Sequence, residues 1–182
     1  MARIAGSGQS ARLLLIGVFF VRGLAQLPPD AQAAADTWLL KSCSQGEQDQ
    51  LTDVLRKYKT QFETFFLNAL QSGPPSALIS QVEAAASKAF DLRRQALKTG
   101  NGLGLSPAQL DAARKVTREQ YVAGERDNFI ISYKSRAVGG LGIVAGERGR
   151  AALRALAADG ASPLQGSAQQ ALLQLQSGPP RK

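Results

Sequence analysis

Histidine is absent from this 182-residue chain, and cysteine occurs once, at Cys43. These two shortages exclude a good deal of chemistry. Without imidazole, the common Ser-His-Asp and Cys-His arrangements, His-based general bases and the usual zinc sites are out of reach. A lone Cys43 forms no internal disulfide, so packing holds the fold, and the thiol is either free or paired between chains. Aromatic residues are only 6% of the chain, with one Trp and one Met. β-Branched residues are also few, and no segment alternates like a strand for long. The glycine-rich Asn101-Gly102-Leu103-Gly104-Leu105 lacks Gly-Lys-Ser/Thr and a preceding strand, so it is no phosphate loop. No cofactor is expected. Carboxylate pairs such as Glu47 with Asp49, or Glu125 with Asp127, put their side chains on different helix faces and read as solvated surface acids. The residue types are those of a non-enzyme.

What is present is 44% hydrophobic and comes mostly from Ala and Leu, both strong helix formers. The expected class is all-α, as a short helical solenoid or an irregular bundle of six to seven helices. The length suits one domain with a real core, expected over residues 26–176 and followed by a frayed tail at 177–182.

The first 25 residues read differently from the rest. Arg3 and Arg12 precede the apolar run Leu-Leu-Leu-Ile-Gly-Val-Phe-Phe-Val at 13–21, and no acid accompanies them. That run is too short to span a bilayer, which takes about 20 residues, but it suits the core of a secretory signal peptide. Gly23-Leu24-Ala25 supplies small residues for cleavage after Ala25, and Ala31-Gln32-Ala33 is a second candidate. Arg22, directly after the apolar core, would favour either retention as an uncleaved anchor, the one route to a membrane association, or no export at all. The expected location is periplasmic or secreted.

Helix signals then follow in series. Asp30 is a candidate N-cap for a helix carrying Ala35, Trp38 and Leu39. Ser44 to Glu47 spells a capping box, followed by Leu51, Val54, Leu55, Tyr58, Phe62, Phe65, Phe66, Ala69 and Leu70 at three-and-four spacing, in one helix or a pair. Ser72-Gly73-Pro74-Pro75 is a strong stop. A helix from Pro75 or Ser76 runs to Gly100, and Ser106-Pro107 opens the next, with Gly124 as its expected interruption. Further helices are expected from Glu125 to Gly146, over 147–158, and from Ser162-Pro163 onward.

The C-terminal third holds an internal offset of 31 residues, relating Ala137 to Ala168 and Leu141 to Leu172. Arg136-Ala137-Val138-Gly139-Gly140-Leu141-Gly142-Ile143, then a Leu-rich helix closing at Asp159, then Ala168 to Leu172, resembles short HEAT-like helical repeats over about residues 129–175. The resemblance implies a solenoid that presents a groove to a partner. The shared Leu-Gln-Ser-Gly-Pro-Pro at 70–75 and 175–180 is explained by cap chemistry at two helix ends.

The chain carries a net charge of +8. Three of its 22 basic residues and none of its 14 acidic ones lie in the first 25, so the remainder carries +5. Its cations occur in runs, at Arg56, Lys57 and Lys59, at Arg93 and Arg94, at Arg114, Lys115 and Arg118, and at Arg148, Arg150 and Arg154. Most have an acid within a turn or two and read as solvated helix surface. Arg126 and Arg136, beside the apolar stripe of their helix, are candidate partner-facing residues together with Arg148 and Arg150. The expected function is a cell-envelope protein-protein interaction module with an unidentified protein partner. The alternative is a cytosolic HEAT-like nucleic-acid binder, disfavoured by dispersed charge and by aromatics that fall on apolar stripes.

Overall fold

The computed structural model describes residues 27–41, 44–99 and 106–177. The signal segment, Cys43, the glycine-rich connection and the last five residues lie outside them. The described residues form eight helices: α1 (Pro29–Leu40), α2 (Gln45–Lys57), α3 (Lys59–Ser72), α4 (Ser76–Thr99), α5 (Pro107–Lys115), α6 (Arg118–Val144), α7 (Glu147–Ala158) and α8 (Gln165–Ser177). The class is all-α, with more helices than the six to seven expected. The additional one arises at Tyr58, whose non-helical backbone (φ −112°, ψ 39°) divides the run from Gln45 to Ser72 into α2 and α3.

Most boundaries follow from local chemistry. Glu47 Oε2 accepts from the Ser44 amide at 2.8 Å and from Ser44 Oγ at 2.7 Å, and those bonds hold its carboxyl below the usual range. Gly73 ends α3 at φ +73°, a left-handed conformation that only glycine adopts cheaply, and its amide bonds Ala69 O at 2.9 Å. Pro107 occupies the first turn of α5, behind the Ser106–Gln109 capping box.

Three expected boundaries moved. Asp30 does not cap α1, which begins with Pro28 at the N-cap and Pro29 in its first turn. Its carboxylate instead accepts from Tyr58 Oη at 2.9 Å and pairs with Lys57 at 3.5 Å, tying the α2–α3 corner to α1; the Tyr58 bond is the main reason its pKa is lowered. The break expected at Gly124 falls instead at Val116 and Thr117, and α6 runs through Gly124 without interruption. Thr117 and Gln120 form a capping box that starts α6, with Gln120 N donating to Thr117 Oγ1 at 3.2 Å. One exposed Gly inside a helix costs only about 1 kcal/mol, less than opening a full turn would. At the C-terminus, α8 includes Ser177, whose Oγ donates to Leu173 O at 2.8 Å, so the first residue of the expected frayed tail is helical.

Helix α6 is the axis of the molecule, about 40 Å long at the usual rise. It lies against α1, α2, α3, α4, α7 and α8. The core gathers Leu39, Leu55, Phe62 and Phe66 around Ala137, Val138, Leu141 and Val144, with Leu153 and Ala168 closing it from α7 and α8. A Cβ on Gly140 would fall within 2.7 Å of three ring atoms of Phe66, so α3 and α6 pack closely only because Gly140 has no side chain. Gly142 lets α8 in the same way, at Ala171.

Long-range polar contacts fix the outer helices. Trp38 Nε1 donates to Arg136 O at 2.8 Å, and Arg136 Nη1 returns a bond to Leu39 O at 3.0 Å, docking the end of α1 on α6. Glu63 of α3 accepts from the amides of Gly146 and Gly149, at 2.9 and 2.7 Å, and so caps the N-terminus of α7 from another helix.

Candidate functional site

Helix α4 leaves the core. It runs antiparallel to the N-terminal half of α6, with Glu83 meeting Arg126 at 3.7 Å and Asp91 meeting Arg118 further along. Its last two turns meet α5, which precedes α6 across the break at Val116 and Thr117. The result is an arm of α4 on one side and α5 with α6 on the other. Its buried residues Ala86, Phe90, Leu97 and Ala113 are separate from the main core.

Near its tip the arm opens into a cleft of about 650 Å³. Arg94, Lys98, Arg114, Lys115 and Arg118 line it, against a single carboxylate, Asp91. The antiparallel pairing dictates this composition. Two basic runs on either side of the short connection between α4 and α5 must face each other once the helices fold back.

The three arginines are held in place. Arg94 Nη1 donates to Arg114 O, and Arg114 Nη2 donates to Leu97 O, each at 3.2 Å, so the two residues satisfy carbonyls at the ends of α5 and α4 reciprocally. Arg114 also pairs with Asp111 at 3.5 Å. Arg118 forms a two-pronged contact with Asp91 and donates to Ser87 Oγ at 2.7 Å. The guanidiniums of Arg94 and Arg118 lie 5.8 and 5.4 Å from the centre of the Phe90 ring, and Arg93 lies 5.6 Å from that of Tyr121. Phe90 and Tyr121 pack together at 5.8 Å. Lys98 and Lys115 differ: both are exposed, and neither makes an ion pair or hydrogen bond among the described residues. The α6 N-terminus beside the cleft is already occupied, because Glu119 takes a bond from its own amide, which lowers its pKa.

The sequence-derived candidates do not form one site. Arg126 is engaged by Glu83 and Asp127, the latter at 3.0 Å, and Arg136 is engaged by α1 as described. Arg148 and Arg150 are exposed on α7 and have no ion pair among the described residues. The residues that do converge are the runs at 93–98 and 114–118, read from sequence as dispersed surface charge. Their flanking of a short glycine-rich connection between two helices is the sequence signal that marks them.

Among the described residues no group of three or more Cys, Asp or Glu is placed to hold a metal ion, and no helix is long and apolar enough to cross a membrane. No protein-family model matches the chain, and neither a curated protein nor a solved structure matches it.

Proposed function

We propose that this protein is a non-enzymatic interaction module of the cell envelope that engages a protein partner through the basic cleft of its α4–α6 arm. The observation that carries the reading is the contrast within the cleft. Three arginines are pre-positioned by intramolecular bonds, while the exposed side chains of Lys98 and Lys115 have no partner among the described residues. Pre-positioned side chains lose little freedom on binding, which favours an interface. The complete lack of His and the single Cys support a non-enzymatic role.

Export is part of the proposal and rests on the signal-like residues 1–25. Cleavage after Ala25 is favoured over Ala33, because a cut after Ala33 would fall inside α1 and discard the fully buried Ala31. N-terminal sequencing from the native host should begin at Gln26, and a retained Met1 in the cytosolic fraction would overturn export. The HEAT-like reading of residues 129–175 belongs to the same proposal. In its favour, α6 and α8 pack side by side, with Ser135 Oγ 2.7 Å from Ser167 Oγ and Ala137 and Ala168 both fully buried.

The interaction is tested by placing a photo-crosslinking residue at Gln95 in the cleft and, separately, at the exposed Gln170 of α8. Gln95 should give a discrete adduct in the native host and Gln170 none. No adduct from Gln95 would overturn the proposal.

A further inference from the structure

Resting on the interaction reading above, we infer that the cleft's occupant is an acidic segment of the partner protein, whose Asp and Glu carboxylates are bound by Lys98 and Lys115 between the fixed guanidiniums of Arg94 and Arg114. Charge complementarity gives the class of ligand: five cations line the cleft against one lining carboxylate, Asp91, which Arg118 holds, and even with Asp111 paired to Arg114 the balance is cationic. Donor geometry narrows it. Each guanidinium carries five N–H donors, and the bonds formed at Arg94 and Arg114 use only one or two of them. The remaining donors suit planar carboxylates, and the lysines supply mobile point charges beside them.

Carboxylates are favoured over a nucleic acid by the rings. Single-stranded nucleic acids are held largely by stacking of bases on aromatic faces. Here Phe90 is buried beneath Arg94 and Arg118, and the Tyr121 ring carries Arg93. The basic lining is also one short cleft rather than a stripe that could follow a phosphate backbone.

The test is fluorescence anisotropy of the purified full chain with a fluorescein-labelled oligoglutamate and, in parallel, an oligodeoxythymidine of equal charge, at low and physiological salt. The wild type should bind oligoglutamate more tightly than the oligonucleotide. Lys98→Glu with Lys115→Glu should weaken oligoglutamate by at least about tenfold. Both lysines are exposed and unpaired among the described residues, so the variant should unfold at the wild-type temperature, and the milder Lys98→Gln/Lys115→Gln should fall between. The control Arg148→Glu/Arg150→Glu, on α7, should change affinity by less than about twofold. Equal loss in the control, no loss in the cleft variants, no oligoglutamate binding, or tighter binding of the oligonucleotide would each overturn the inference. A partner crosslinked at Gln95 by a chain with no affinity for oligoglutamate would leave the interaction reading standing and sink this one alone.

Discussion

Every buried residue of α6 lies between Tyr133 and Val144, and residues 118–132 of the same helix contribute none. The C-terminal half carries three glycines, Gly139, Gly140 and Gly142, and α3 and α8 approach its backbone directly at Gly140 and Gly142. The N-terminal half carries Arg118, Glu119, Glu125, Arg126 and Asp127 and has α4 along one side. Packing on several sides gives the C-terminal half its stability, while ion pairs and Arg-on-ring contacts hold the N-terminal half. One helix is thus anchored at one end and presents charge at the other. The anchored end bears the cost of order.

Truncating the core side should have the largest effect. Phe66→Ala removes a fully buried ring stacked on Phe62 at 5.6 Å and should cost about 3–5 kcal/mol in urea unfolding. Gly140→Ala, which forces a methyl into Phe66, should cost about 1–3 kcal/mol. A loss below ~0.5 kcal/mol would show that α3 and α6 can slide apart freely. Glu63→Ala should cost about 1–2 kcal/mol by uncapping α7, with faster amide exchange confined to the start of that helix.

The arm should respond in the opposite sense or hardly at all. Gly124 has open space around its Cα, so Gly124→Ala should stabilise by about 0.5–1 kcal/mol. The sign reversal between Gly124 and Gly140, on one helix, is the sharpest check of the comparison. Arg118→Ala should cost less than about 1 kcal/mol, because both it and Asp91 are roughly half exposed. Native-state amide exchange should be slower over 133–144 than over 118–132, and equal protection would break the comparison altogether.

Much of this fold was legible locally. The stop at Gly73 and Pro74, the capping box at Ser44 and the start at Ser106-Pro107 are statements about a few adjacent backbone groups, and they appear where the residue types require them. Gly124 misled because glycine is only a weak helix breaker, whereas Thr117 and Gln120 carried the true boundary in a pattern of equal plainness. Asp30 misled because its competing partner, Tyr58, is 28 residues away. The cleft stayed hidden for the same reason. Arg94 and Arg114 each read as a surface cation until the antiparallel pairing of α4 with α5 brings them together.

The all-α class, most helix ends and the exclusion of imidazole chemistry follow from residue types and their order, since propensity and capping act within a turn or two of chain. Which cations are engaged and which face the cleft is instead a matter of how the helices pack. Arg136 is consumed at a carbonyl of α1, Arg126 at Glu83, and Lys98 and Lys115 are left facing one cleft. That outcome depends on which helices fold back on one another, and hydrogen bonds and ion pairs between residues far apart in sequence are set by that geometry alone.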